Sequence, residues 1–204
     1  MATSLDVINE WASDSEAKQT LVKTHSGLIL RWLNQAQLRY ADKSEMLKSR
    51  WTPTITSTGN IALPADFLRE IPDRVQPNAN ATVFAPLRKV DYPDAILVTW
   101  TGLIAYSVYG GNFYVWAPQA CTPAITYNKK PAALTDLTSD LEIPTEFHHD
   151  LILGLDIYWE RRAEKLDLAE QETMWTIFDN KAKDAGWKEK IRKGAFVRTR
   201  GSWF

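Results

Sequence analysis

Hydrophobic residues recur at helical spacing in the first part of the chain. Apolar positions three apart predict a short amphipathic helix from Thr3 to Trp11, with Ser4 as its N-terminal cap. Asp14 or Ser15 is suited to cap a second helix. The range 28–40 then places its apolar side chains on one face and most polar ones elsewhere, which predicts a third helix.

The same spacing returns near the C-terminus. It predicts one helix over 145–165 and a second over 167–183. Asp167 is a suitable cap for the second of these helices. Gly186 is expected to end or kink that helix.

Between these helical parts, hydrophobic and polar residues alternate, which is typical of strands. The range 51–61 contains the turn signal T-G-N and predicts a hairpin, and Y-G-G-N-F-Y-V-W, 109–116, predicts another. The range 124–127 adds a strand. Aromatic and β-branched residues are frequent here, so we expect a small antiparallel β module.

The sequence therefore predicts an α+β fold in which a helical bundle carries an inserted small antiparallel β module. The expected parts are the N-terminal helices of the bundle at 1–50, the β module at 51–143, the C-terminal helices at 144–194 and an extended tail at 195–204.

One pentapeptide pattern occurs at both expected ends of the module, as L-P-A-D-F (63–67) and I-P-T-E-F (143–147). Proline suits the first position of a helix and holds the preceding residue in extended geometry. The acid that follows is well placed near the free N–H groups of a helix start. Each copy therefore predicts a corner from a strand into a helix.

Length and composition limit the class of protein. A chain of 204 residues, 45% hydrophobic and 24% charged, forms one globular domain or one domain with a sizeable insertion. Cys121 is the only cysteine, which excludes an intramolecular disulfide and fits a reducing compartment. The sequence contains neither a secretion signal pattern nor an apolar run of membrane-spanning length, so no membrane anchor is expected.

Charge is distributed unevenly. The net charge is −1, yet the range 181–200 holds eight basic and two acidic residues. The chain is thus a mildly acidic body with a basic end.

No catalytic or metal-binding motif is evident. The sequence H-H-D, 148–150, places its histidines about 100° apart on a helix, so they cannot share one metal ion. Phosphate-binding loops, nucleophile elbows and dinucleotide fingerprints are missing from the sequence. The acidic run from Glu160 to Glu172 is interleaved with arginine and lysine, which is typical of a solvated helix surface. We therefore expect no enzyme, no metal and no cofactor.

Two alternatives stay open at this point. The aromatic residues of the β module could form a sugar-stacking face rather than a core, in a carbohydrate-binding β-module protein; the candidates are Trp100, Tyr109, Tyr114 and Trp116. A cell-wall hydrolase could use Glu142 and Glu146 as a carboxylate pair.

The order of several short motifs resembles a known family. W-L-N-Q-A-Q-L-R-Y is followed by I-A-L-P-A-D-F, Y-G-G-N-F-Y-V-W-A-P, Y-N-K-K-P-A-A-L-T and I-P-T-E-F. Over 28–185 this order resembles the head-to-tail adaptor proteins of tailed bacteriophages, also called connector or head completion proteins, including the tail tubular protein A type. The nine tryptophans and the basic C-terminal end depart from that pattern.

The resemblance implies a structural virion protein of the neck, between the capsid portal and the tail, made in the host cytoplasm. It implies a homo-oligomeric ring of about twelve copies beneath the portal protein, which extends the DNA channel. The implied partners are the portal protein, the tail or its nozzle and completion proteins, and the genomic DNA passing through the ring.

Within that expectation, three sets of residues are candidate sites. The C-terminal tail is expected to bind the portal as an added strand, through Phe196, Val197, Arg198, Arg200, Trp203 and Phe204. The second hairpin tip is expected to contact the tail or a neighbouring subunit, through Tyr109, Gly110, Gly111, Asn112 and Phe113. Three acidic residues are expected to line the DNA channel, namely Glu160, Glu164 and Glu170.

Overall fold

The computed structural model describes residues 3–55, 59–76, 87–91, 105–117 and 121–193. The chain divides into two compact units. The helical unit comprises Met1–Leu47 with Lys130–Phe204, and the β unit comprises Lys48–Lys129. Helices together with one antiparallel and one mixed sheet make the fold α+β, as the sequence predicts.

In the described part of the helical unit, five α-helices and one short 3-10 helix are present. The α-helices are α1 (Ser4–Ala12), α2 (Glu16–Thr24), α3 (Ser26–Ser44), α4 (His148–Arg162) and α5 (Leu168–Arg192), and the 3-10 turn Thr145–Phe147 leads into α4.

Side-chain caps fix where three of these helices begin. Thr3, rather than Ser4, caps α1 and forms a reciprocal capping box with Asp6. Ser4 is already helical and buried, and its hydroxyl donates to the backbone oxygen of Asp136 at 3.0 Å. Ser15 caps α2, and Asp167 caps α5.

The core of the helical unit joins side chains from α1, α3, α4 and α5. The largest fully buried residues there are Ile8, Trp11, Ile29, Leu33, Tyr40, Leu151, Leu155 and Phe178. Leu134, Leu141 and Ile143 also belong to this core. The segment 130–143 is therefore part of the helical unit, whereas the sequence places it in the β module.

A buried lysine connects α2 to α4 and α1. Lys18 Nζ donates to Asp156 at 2.9 Å and lies 5.2 Å from the centre of the Trp11 ring. Trp11 Nε1 donates to the same carboxylate at 2.9 Å. Burial works to lower the pKa of Lys18, but the hydrogen bonds to Asp156 and Asp14 outweigh it, and the pKa lies above its ordinary value.

The described part of the β unit contains two sheets. One has the order β1-β7-β3, formed by Lys48–Trp51, Ala124–Lys129 and Phe67–Gln76. The other has the order β2-β6-β5-β4, formed by Gly59–Ala62, Asn112–Trp116, Ala105–Tyr109 and Arg88–Lys89. Only the short β4 pairs in parallel among these described strands.

The second predicted hairpin is confirmed, and the first is wrong. β5 and β6 pair through Tyr109 and Asn112, with Gly110 and Gly111 at φ 56° and 77° forming the two-residue turn. The predicted partners in 51–61 do not pair with each other. β1 pairs with β7 and β2 pairs with β6, so they lie in different sheets.

Both pentapeptides form the same local turn but lead into different structures. Phe67 and Phe147 each donate a backbone hydrogen bond of 2.9 Å to the proline three residues earlier. After Pro144 the chain enters the 3-10 turn and α4, as predicted, but Ile143 packs in the helical core and belongs to no strand. After Pro64 the chain enters β3, so the first predicted corner is wrong.

Sheet contacts explain the different outcome after Pro64. Phe67 stacks on Tyr127 of β7, with 5.1 Å between ring centres. Tyr127 also donates its hydroxyl proton to Asp66 at 2.8 Å. These cross-strand contacts hold the pentapeptide against the sheet, and tertiary pairing overrides its local helix-start chemistry.

Candidate functional site

An apolar stripe follows the outward face of α5. Ile177, Trp187 and Ile191 have 47%, 55% and 54% of their surface exposed. Asp184 lies on the same face, seven residues from both isoleucines. We call Ile177, Asp184, Trp187 and Ile191 the α5 stripe. Phe178, Ala182, Ala185, Gly186 and Glu189 on the opposite face are buried.

Ion pairs and stacking hold α5 in place beneath this stripe. Arg39 of α3 donates to both carboxylate oxygens of Asp179, at 2.7 and 3.1 Å. The same guanidinium lies 4.3 Å from the centre of the Trp175 ring. Lys190 donates to Glu45, the residue that ends α3, at 3.1 Å. These contacts fix the position of the helix that carries the α5 stripe.

Near the end of α5, Glu189 has a buried carboxylate beside two cations. Arg192 donates to it at 2.8 Å, and Lys193 Nζ lies 2.9 Å away. The hydrogen bond from Arg192 lowers the pKa of Glu189, and Lys193 adds to this effect, whereas burial opposes it. The net result is a pKa below the ordinary value of a glutamate.

A groove of about 440 Å³ runs along the exposed face of α3, beside the segment that follows β7. Its walls are Gly27, Leu30, Arg31, Asn34, Gln35, Leu38, Leu134 and Thr135, and we call it the α3 groove. Asn34 fixes the far wall, since its amide donates to Leu134 O at 3.0 Å and its oxygen accepts from Leu134 N at 2.8 Å. Leu38 is 39% exposed at one end.

Most residues of the predicted hairpin interface lie at an exposed tip, but Phe113 is buried. Tyr109 is 61% exposed, and Gly110 and Gly111 are exposed as well. Asn112 is half-buried and donates to Gly110 O at 3.2 Å, which supports the turn. Phe113 is fully buried and packs on Tyr106, because alternation points it into the core of the β unit. The Phe113 side chain thus belongs to the core of the β unit, and the interface role of the tip stays a prediction.

The three predicted channel acids lie near the junction of α4 and α5, with Glu160 in the last turn of α4, Glu164 in the connection and Glu170 in the first turn of α5. Glu160 is half-buried and lies 3.6 Å from Lys165 Nζ. Glu164 is exposed and has a left-handed backbone, with φ 54°. Glu170 is exposed and accepts from Asp167 N at 3.0 Å as part of the α5 cap.

The predicted portal-binding residues of the tail, 196–204, lie outside the described residues, as does Trp100. Two of the other proposed sugar-stacking residues, Tyr114 and Trp116, share a sheet face and stack at 6.1 Å, but Trp116 is only 8% exposed.

The side chains of the proposed carboxylate pair and of the H-H-D motif make local contacts. Glu142 accepts from Ala132 N at 3.4 Å, and Glu146 lies 3.6 Å from Arg192, so each carboxylate has its own separate contact. His148 is buried with Nε2 2.7 Å from Ile143 O, to which it donates. Asp150 accepts from Tyr40 at 2.8 Å.

Comparison with protein families provides the identification. A family model described as SU10 adaptor protein matches residues 2–195, which includes both units. The chain belongs to the SU10 adaptor protein family. Membership in this phage adaptor family agrees with the resemblance carried by the ordered motifs and implies a place in the virion. No curated protein matches the chain.

The described residues of this family member contain no helix long and apolar enough to cross a membrane. Among them there is also no group of three or more histidine, cysteine or acidic side chains arranged to hold a metal ion.

Sequence reasoning missed the α5 stripe and the α3 groove. The predicted end of the last helix at residue 183 separates Trp187 and Ile191 from Ile177, whereas the helix continues to Arg192. The seven-residue spacing of Ile177, Asp184 and Ile191 is the signal that indicates the stripe once the helix is continued to Arg192.

Proposed function

We propose that this adaptor-family protein joins the head to the tail of a tailed bacteriophage. In this proposal, about twelve copies form a ring beneath the portal, extend the DNA channel and present a docking surface for the tail. The observation that carries the proposal is the family match across residues 2–195. The motif order over 28–185 supports it independently.

The exposed surfaces are suited to such a role. A subunit of a neck ring contacts two neighbouring copies and two other proteins, and it therefore needs several interaction surfaces for its size. The α5 stripe and the α3 groove supply two on the helical unit, and the tip at Tyr109 supplies one on the β unit. The tail at 195–204, with its aromatic and basic residues, is the proposed portal contact.

Assembly of virions without this protein tests the function. We expect DNA-filled heads and separate tails to accumulate, and addition of the purified full chain to such an extract should restore infectious particles. Normal particle yield without the protein would contradict the proposal. The measurement is the titre together with a count of tailed and tailless particles by electron microscopy.

The DNA channel is proposed to be lined in part by Glu160, Glu164 and Glu170. Carboxylates repel the phosphate backbone, so DNA slides past without being retained. Glu164→Lys is the cleanest test, because Glu164 is exposed and Glu170 also caps α5. We expect slower DNA release from virions that carry Glu164→Lys. Glu10→Lys on the exposed side of α1 is the control and should leave the release rate unchanged.

The carbohydrate-binding alternative depends on Tyr109 and Tyr114, which lie on one face of the β5–β6 hairpin. Cosedimentation of the full chain with cell-wall polysaccharide, lost in Tyr109→Ala/Tyr114→Ala, would favour that alternative. Under the adaptor proposal the chain stays in the supernatant. A peptidoglycan-clearing assay addresses the hydrolase alternative in the same way, and the adaptor proposal requires no clearing.

A further inference from the structure

The α5 stripe and the α3 groove have matching spacings. Ile177 precedes Asp184 by seven residues, and Arg31 precedes Leu38 by seven residues, so each pair is separated by about 10.5 Å along its helix. On the other side of these two charged residues, Trp187 follows Asp184 by three residues, and Gly27 precedes Arg31 by four residues. If two such helices run antiparallel with Asp184 beside Arg31, then Ile177 meets Leu38 and Trp187 meets Gly27.

We propose that the α5 stripe of one copy packs antiparallel into the α3 groove of a second copy of this chain. This inference rests on the proposed function, in which copies form a ring, and it names the contact between neighbours. The Asp184–Arg31 ion pair sets the register, and the apolar contacts on either side of it supply most of the buried surface.

Charge favours a second copy as the occupant of the groove. Neither Arg31 nor Asp184 makes an ion pair with any residue in the part of the chain that the structure describes. Arg31 lies near the middle of the α3 groove, and Asp184 lies near the middle of the α5 stripe. An interface between the two surfaces gives both residues an opposite partner across the copies and fixes the antiparallel direction.

Shape favours the same arrangement. A Cβ placed on Gly27 would have no heavy atom of the described residues within 4 Å beyond its chain neighbours and its own helix, so the groove is open where the indole of Trp187 would lie. Leu30 and Leu134 are buried and give the groove an apolar lining, while Leu38 exposes 39% of its surface to meet Ile177. Tryptophan that becomes buried at the centre of an interface is a frequent source of binding energy.

In the proposed ring this contact is heterologous. Each copy offers a stripe to one neighbour and a groove to the other. Repetition of such a contact closes into a ring when the rotation between copies allows it. A symmetric dimer, in contrast, would place the same surface of both copies at the interface.

Charge reversal provides a sharp test. We expect Arg31→Asp and Asp184→Arg each to weaken self-assembly of the full chain at least tenfold, because each places like charges opposite one another. An equimolar mixture of the two variants should assemble again, since alternating copies restore an opposite pair at every contact. The double variant Arg31→Asp/Asp184→Arg should also assemble. Mass is measured by native mass spectrometry and analytical ultracentrifugation, alone and on isolated portal.

Matched controls separate this pairing from a general effect of charge. Arg162→Asp on α4 and Glu172→Arg on α5 make the same changes in charge at exposed positions outside the groove and the stripe, and both should assemble like the unmodified chain. Thermal unfolding followed by circular dichroism should show that all variants are folded.

The possible outcomes separate the proposed Asp184–Arg31 contact from the proposed ring. If the single variants assemble normally, or if their mixture fails to assemble, the Asp184–Arg31 contact is overturned while a ring formed by the unmodified chain stands. If Arg31→Asp assembles normally and then loses portal binding, the groove binds the portal instead. If the unmodified chain remains a monomer both alone and on portal, the proposed function fails together with the contact.

Discussion

Gly186 of α5 lies directly against the backbone of Ser44, the last residue of α3. A Cβ on residue 186 would lie 1.9 Å from Ser44 O and 2.7 Å from Ser44 C. The chain then leaves α3 through Glu45, whose left-handed φ of 54° ends the helix. The absence of a side chain at Gly186 is thus what allows α5 to continue past the end of α3.

Gly186→Ala should therefore destabilise the helical unit severely. The added methyl group overlaps backbone atoms, which cannot rotate away as a side chain can, so we expect a loss of about 3 kcal/mol or more in the free energy of unfolding. Urea denaturation followed by circular dichroism measures this loss. Gly27→Ala is the control, because its Cβ meets no described atom within 4 Å outside its chain neighbours and its own helix, and it should leave stability unchanged or raise it by up to about 1 kcal/mol. A loss below about 1 kcal/mol for Gly186→Ala would mean that the close contact is not maintained.

The hairpin tip requires its two glycines for conformation. Gly110 and Gly111 both have positive φ, which is costly for β-branched residues. Gly110→Val/Gly111→Val should lower the stability of the β unit by about 2–4 kcal/mol. Gly110→Asn should cost less than about half a kcal/mol, since asparagine is common at this turn position. Equal stability of the two variants would contradict the turn geometry.

Acidification should weaken the fold through Glu189. Its folded pKa lies below its unfolded value because Arg192 and Lys193 favour the carboxylate. The resulting stabilisation is fully present above the unfolded pKa and is lost as pH falls through the folded pKa. Asp6 and Asp136 act in the same direction, because hydrogen bonds from Thr3 and Thr138 lower their pKa values.

Glu189→Gln isolates that contribution. We expect the variant to lose about 1 kcal/mol of stability at neutral pH and to show a shallower decline on acidification than the unmodified chain. The measurement is urea denaturation at a series of pH values from neutral to about 3. The exposed Glu172→Gln serves as the control and should follow the unmodified chain. Parallel pH profiles for the Glu189→Gln and unmodified proteins would contradict this role.

The C-terminal tail provides a test of portal attachment. Deletion of 195–204 removes every residue proposed to bind the portal but leaves all five described α-helices intact. We expect the truncated chain to keep its thermal unfolding profile yet to fail to bind portal-bearing heads in a sedimentation assay. Replacement of Trp203 and Phe204 by serine should weaken binding in the same direction. Normal binding by the truncated chain would mean that the portal contact lies elsewhere.

Local patterns in the sequence predict most helices well. Asp167 caps α5 and Ser15 caps α2 because hydrogen bonds to the first turn depend only on nearby residues. The Gly110–Gly111 hairpin is likewise a short-range structure. The buried positions Leu151, Leu155 and Phe178 follow from helical spacing alone.

Errors arise where distant segments decide the outcome. The two pentapeptides, L-P-A-D-F and I-P-T-E-F, form the same first turn. The first continues into a sheet, because Tyr127 of β7 contacts it. Gly186 is predicted to end or kink the helix, but α5 continues through it. Gly186 packs against Ser44, which lies 142 positions earlier in the sequence. The same error hides the α5 stripe, because a helix that ends before Trp187 leaves both Trp187 and Ile191 outside it.

Electron microscopy of the purified full chain with isolated portal tests the central claim most directly. The account predicts a ring of about twelve copies seated on one face of the portal, with an open channel continuous with that of the portal. Portal particles that remain bare at saturating concentrations of the chain, while the chain itself stays monomeric, would contradict it.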